Sequence, residues 1–394
     1  MPIPRQTEFG LVSVTPPLPV EARKALPWPR RFVDTWGRFF DLLVGLATLI
    51  PFLAVISAIP VLNLLSLGYL LEASARVARS GNLRDGLVGI VGFAATGKIV
   101  LAVWVWWLPV RLVHSFWEDA ELIAPGSSTA DGLRFFLVFL IIAISLHLVW
   151  ACLRGGELRY FLWPAPLRLI RWLGKEFEPI AVFGKIPDFL RSLRIGHFFR
   201  LGAFGFAGAA LWLILPVAIL MAASSLENPG ISALGSLIGG LLLGLVALYL
   251  PFLQTRFALT GRFTEFLSPG EAGKSFSKAP LAFWVALATT LLFALPLYLL
   301  KIELTPDEVA WLPNLLFVLF IFPARLLLGW AVSRAERREA PRNRVSRWTA
   351  RLAAIPVVAV YVFIVWLTQY LSWHGSLGLL EQHAFLVPAP LLGL

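Results

Sequence analysis

Long apolar runs separated by short charged segments set the pattern of this chain. Runs apolar enough for a membrane crossing fall near residues 98–115, 133–153, 201–222, 233–256, 281–300, 312–334 and 350–371. Each approaches the roughly 20 residues a helix needs to span a hydrocarbon core about 30 Å thick. The runs are continuous rather than alternating, which predicts helices and excludes the strands of an outer-membrane barrel. The apolar block at 41–79 is too long for one crossing and predicts a hairpin, with one limb to about Ser57, a turn at Pro60 and a return from Val61. A re-entrant hairpin fits the same pattern.

The charges between the runs alternate in character. Segments 116–132, 225–232, 302–311 and 372–394 contain no Lys or Arg but hold Glu118, Asp119, Glu121, Asp131, Glu227, Glu303, Asp307, Glu308 and Glu381. The intervening segments carry nine Lys or Arg from Arg154 to Arg200, then Arg256, Arg262, Lys274 and Lys278, then seven from Arg334 to Arg351. Basic segments stay on the cytoplasmic side. With the hairpin included, nine crossings follow, or eight if its limbs do not both span, with the N-terminus inside and the C-terminus outside. The expected organisation is a flexible basic Pro-rich tail at 1–40, a first transmembrane repeat at 41–156, interfacial amphipathic helices at 157–200, a second repeat at 201–338, and a basic loop, last span and outer tail at 339–394.

Composition sharpens this picture. Residues are 58% hydrophobic and 14% charged, far from the roughly one quarter charged of soluble domains. The net charge of +11 is distributed between apolar spans, so it points to orientation and anionic lipid rather than to nucleic acid. The single cysteine, Cys152, excludes an intramolecular disulfide framework. No early apolar core of a signal peptide precedes residue 40.

Shifted by 180 residues, the chain aligns with itself. Tyr69, Leu70, Arg76, Ala78 and Gly81 fall on Tyr249, Leu250, Arg256, Ala258 and Gly261; Lys98 and Trp104 fall on Lys278 and Trp284; Trp150 and Arg154 fall on Trp330 and Arg334. From Leu62 to Arg154, 22 of 93 positions are identical at this offset, against roughly a tenth expected from composition. Two parallel four-helix units and one added span follow from this reading, an all-α transmembrane bundle.

The run Leu67-Gly68-Tyr69-Leu70 leading to Arg76, Arg79 and Gly81, then Arg84-Asp85-Gly86, resembles a bacterial family of polytopic membrane proteins of unknown function. The resemblance covers about the first 100 residues and, through the repeat, 245–300. It implies a bacterial cytoplasmic membrane and brings no catalytic residues.

Few residues stand out as chemistry. Gly92 to Lys98 has phosphate-loop spacing, but Ile99 replaces the Ser or Thr that would hold magnesium, and no strand precedes it. Glu72 and Arg325 fall at similar depth inside spans, where a lone charge costs at least about 2.5–3.5 kcal/mol, so an ion pair between them is expected, with snorkelling, or local pairing with Gln254 or backbone, as the alternative. His147 is placed to join that cluster or to lie buried and neutral. His114, Glu118, Asp119, His374, Glu381 and His383 share the outer side without metal-ligand spacing, so no metal or cofactor is expected. Gly235, Gly239, Gly240 and Gly244 would let helices approach closely, within the chain or in a homo-oligomer. Arg159, Arg168, Arg171 and Lys175 among aromatic residues fit short helices on the inner leaflet that contact lipid.

These features favour a non-enzymatic scaffold, accessory subunit or lipid-interacting module, with membrane lipids, other membrane subunits or a second copy as partners. The alternative is a transporter of a small or lipidic solute between the two repeats.

Overall fold

The apolar runs become helices throughout the computed structural model, which describes residues 28–163, 165, 194–300, 311–371 and 379. In chain order they are α1 (Trp28–Ala58), α2 (Asn63–Ser80), α3 (Ile90–Ile123), α4 (Ser128–Leu153), the single turn α5 (Leu158–Leu162), α6 (Ile195–Ser224), α7 (Pro229–Thr260), α8 (Pro269–Lys278), α9 (Pro280–Leu300), α10 (Trp311–Glu336) and α11 (Arg344–Leu371). Short 3-10 turns at Leu83–Gly86 and Phe263–Leu267 follow α2 and α7. Among the described residues there is no strand.

Among the described residues, seven helices are long and apolar enough to cross a bilayer, or eight if the bent pair α8–α9 counts as one broken span. Their outward faces are apolar as well: Phe135, Phe139, Ile214, Leu237 and Leu241, with many similar residues, stand exposed. A protein in water does not leave so much contiguous apolar surface uncovered. The architecture is that of a multi-pass membrane protein, and its outer surface is solvated by hydrocarbon.

The expected hairpin forms between α1 and α2, turning at Pro60 with Val61 at φ 69°. Its second limb, α2, is not among the seven apolar spans; of the nine expected crossings, α9 enters only through the bent pair and α2 not at all. Its 18 residues extend about 27 Å, and every residue from Ser66 to Ala75 is buried. α2 is therefore surrounded by other helices, which explains how it carries Asn63, Ser66, Glu72 and Ser74.

Close helix approach makes that burial possible. Gly68 of α2 and Gly202 of α6 cross with so little separation that a Cβ on Gly68 would collide with the carbonyl of Phe198, and one on Gly202 with that of Leu64. Gly329 of α10 is held just as tightly against the Ser74 carbonyl. α2 also meets α7, where the hydroxyls of Ser74 and Thr255 are 3.0 Å apart.

One expected boundary moves. α1 already begins at Trp28, inside the segment expected to be a flexible tail to residue 40. Pro29 falls in its first turn, where a missing N–H costs nothing, and the apolar pattern resumes with Trp36, Phe39 and Phe40. Residues 1–27 lie outside the described residues, as do most of 164–193 and of the C-terminal tail.

Candidate functional site

At the arginine-rich end of α2, the helical period stacks Glu72, Arg76 and Arg79 on one face. The Glu72 carboxylate is the buried hub, only 6% exposed. Arg76 Nε donates to its Oε1 at 3.0 Å, Arg79 Nη1 lies 3.8 Å from the same oxygen, and His197 Nε2 of α6 is 3.3 Å from Oε2. A charge that would be costly alone is thus held by three partners.

The helix then stops and the chain turns back. Gly81 takes the left-handed conformation at φ 73°, and its N–H donates to the Val77 carbonyl at 2.7 Å. The Asn82 side chain accepts from the Arg84 N–H at 3.2 Å and starts the 3-10 turn. Gly86 is buried between Val77 and Leu326, and Tyr69 OH donates to the Val88 carbonyl at 2.9 Å, pinning the exit of the turn to α2. Arg337 docks on the Ser80 carbonyl from beyond α10.

Arg84 and Asp85 are left exposed at the rim. Together Arg76, Arg79, Arg84, Asp85 and Leu87 line an open cleft of about 440 Å³. Three arginines line one space, and guanidinium groups suit phosphate or carboxylate oxygens.

The structure gives the two intramembrane charges separate partners. Instead of joining Glu72, Arg325 is buried between α10 and α7, where its Nη1 donates to Gln254 Oε1 at 2.7 Å. Glu72 finds its cations nearer by, one and two turns along its own helix. The alternative pairing with Gln254 is the one the chain uses.

His147 is also elsewhere. Its Nε2 donates to the Phe161 carbonyl at 2.8 Å beside Trp106 Nε1, which donates to the same oxygen at 3.0 Å. Both clamp α5 beneath the α3–α4 hairpin. Arg159 of that turn is occupied by Glu157 at 2.6 Å and by the Tyr160 hydroxyl at 3.0 Å, while Arg168, Arg171 and Lys175 lie outside the described residues.

The four α7 glycines face neighbours within the chain. Gly235 meets Ala223 and Gly239 meets Leu220, both of α6, whereas Gly240 and Gly244 meet Val362 and Val358 of α11. Gly92 to Lys98 lies within the continuous helix α3, and Lys98 pairs with Asp41. His114 approaches Glu118 at 3.4 Å on one face of α3. Among the described residues, no three His, Cys, Asp or Glu side chains gather as a metal site.

Sequence reasoning overlooked the arginine cleft, although the signal was present: Glu72, Arg76 and Arg79 are spaced by four and then three residues, the stacking interval of a helix.

No protein-family model, curated protein or solved structure matches this chain.

Proposed function

We propose that this protein is a non-enzymatic, lipid-interacting module of a cytoplasmic membrane, and that the mouth of α2 holds the anionic headgroup of a membrane phospholipid. The observation that carries this reading is the open cleft with Arg76, Arg79 and Arg84 around it, at the end of a helix otherwise buried in a membrane bundle. Guanidinium groups stay charged and do not exchange protons near neutral pH, so they suit holding an anion rather than acid–base catalysis. The excess of Lys and Arg in segments 154–200, 256–278 and 334–351 supports a cytoplasmic location for this mouth, where anionic lipid would meet it. On the same reading, nine helices cross in two parallel units plus α11.

The test is native mass spectrometry of detergent-purified protein. An Arg79→Ala, Arg84→Ala double variant should lose bound anionic phospholipid by about tenfold or more, since each charge-assisted contact contributes on the order of 1.5–3 kcal/mol. An Arg262→Ala, Lys274→Ala control should retain it. Equal retention by both variants would remove the cleft from the account.

A second reading, a transporter, is favoured by one feature: α8 and α9 meet at a 114° bend, and broken helices of this kind build solute sites in transporters. Solute flux across reconstituted vesicles, abolished by altering that bend, is the measurement that would establish it.

A further inference from the structure

Charge in and beneath the cleft is finely balanced. Three arginines, Arg76, Arg79 and Arg84, line the cavity. Against them stand two carboxylates: Glu72 beneath, in contact with Arg76 and Arg79, and Asp85 on the rim. Counted over these five side chains alone, the charge sums to a single net positive. Arg337, which keeps its charge on the neutral Ser80 carbonyl at the helix end, is not among the residues that line the cleft.

We infer that the cleft selects a singly charged phosphodiester bearing a hydroxylated headgroup, the chemistry of a glycerol-headed phospholipid. This rests on the lipid-binding reading above and specifies the ligand of that same site. A phosphodiester brings one negative charge and matches the net charge of the site. A phosphomonoester brings up to about two and overshoots it. Asp85 supplies what the arginines lack, an acceptor for a headgroup hydroxyl, because an ionised carboxylate only accepts hydrogen bonds and a guanidinium only donates. Leu87 on the lining gives the glycerol backbone an apolar neighbour.

Glu72 is then the residue that sets specificity without touching the ligand. It removes one charge from the arginine set and fixes Arg76 and Arg79 in place from the buried side. Neutralising it raises the net charge by one while leaving an isosteric acceptor for Arg76.

The experiment uses lipid-stripped, full-length protein titrated by native mass spectrometry with phosphatidylglycerol, phosphatidylmethanol and phosphatidic acid. The wild type should rank phosphatidylglycerol first, above phosphatidylmethanol by about fivefold to tenfold for the lost hydroxyl contact. Glu72→Gln should reverse the order of phosphatidylglycerol and phosphatidic acid. Asp85→Ala, on an exposed turn where folding is not at risk, should abolish the preference for phosphatidylglycerol over phosphatidylmethanol.

Equal binding of all three lipids by the wild type, with no change of rank in either variant, would overturn this inference and leave the lipid-binding reading intact. Absence of any binding sensitive to Arg79 and Arg84 would instead remove that reading. A soluble arm separates the two sources of the diester. Glycerophosphoglycerol at equal concentration should fail to displace the lipid; displacement would make a free diester the ligand and overturn the lipid assignment.

Discussion

The ends of α2 and α7 begin alike and finish differently. Both helices stop at a left-handed glycine, Gly81 at φ 73° and Gly261 at φ 71°, each donating its N–H to the carbonyl four residues back at 2.7 Å. Both run into a 3-10 turn, and both carry an arginine at the same offset, Arg76 and Arg256. Yet Arg256 is shut away: its Nε donates to Glu265 Oε2 at 2.9 Å and its Nη1 to the Ser275 hydroxyl at 3.3 Å. Arg76 instead turns back to Glu72 and borders an open cleft.

The origin of the carboxylate decides the outcome. In the second mouth the turn supplies it, because Phe266 is fully buried against Gly208 and Phe257 while Trp212 Nε1 donates to its carbonyl at 2.9 Å. That anchor draws Glu265 over Arg256. In the first mouth the matching residue is Gly86, with no side chain to insert, and the helix supplies Glu72 in place of Phe252. Asp85 is left on the rim, and Arg79 and Arg84 stand where the second mouth has Leu259 and Thr264. Two similar helix ends thus give a sealed arginine in one place and an open, charged cleft in the other.

The largest effect should come from breaking the burial of α2. Gly68→Val would push a side chain into the Phe198 backbone, which cannot move aside as a flexible side chain would. A loss of about 3 kcal/mol or more is expected, read as collapse of the monodisperse peak in detergent. The residue at the same offset, Leu248, is only partly buried, so Leu248→Ala should leave the peak in place.

Next in size is Gln254→Leu, which removes an acceptor from the buried Arg325 guanidinium. About 2 kcal/mol of stability should be lost, visible as a lower thermal midpoint. An unchanged midpoint would show that this contact contributes little to holding α7 against α10.

Glu265→Ala should convert the sealed mouth toward the open one. Freed of its carboxylate, Arg256 would gain bound anionic lipid, by about threefold to tenfold in native mass spectrometry. No gain would mean that the position of the acid is not what separates the two mouths. The smallest effect is expected of Lys274→Ala, which removes an exposed pair with Glu271 and should change neither stability nor bound lipid.

Much of this fold was legible because hydropathy and charge placement are strong signals in membrane chains. The turn at Pro60 and the helices at each apolar run could be read directly. Other features were hidden for physical reasons. The run at 281–300 reads as a simple span, but Pro280 stands where Val100 falls at the 180-residue offset. Proline removes a helix N–H and disfavours helical geometry at the preceding residue, so Ala279 sits at φ −135° and α8 and α9 meet at a bend, whereas α3 runs on as one helix.

The site was legible only in part. Glu72 and Arg325 were each recognisable as costly intramembrane charges, but which partner satisfies each depends on rotation about three helix axes. That information resides in packing, in contacts such as Gly68 on Gly202 and Gly329 on Ser74. His197, which completes the Glu72 cluster, is 125 residues away in sequence and carries no local signal of that role.

That the arginine-bearing ends of α2 and α7 lie on one face of a membrane is the arrangement on which the proposed function rests. Its most direct test is labelling by a membrane-impermeant maleimide in oriented vesicles, with Cys152→Ser as background. Arg84→Cys and Thr264→Cys, equivalent positions in the two 3-10 turns, should react only in inside-out vesicles, and Glu118→Cys and Glu227→Cys only in right-side-out ones. Reaction of Arg84→Cys and Thr264→Cys from opposite faces would contradict the account.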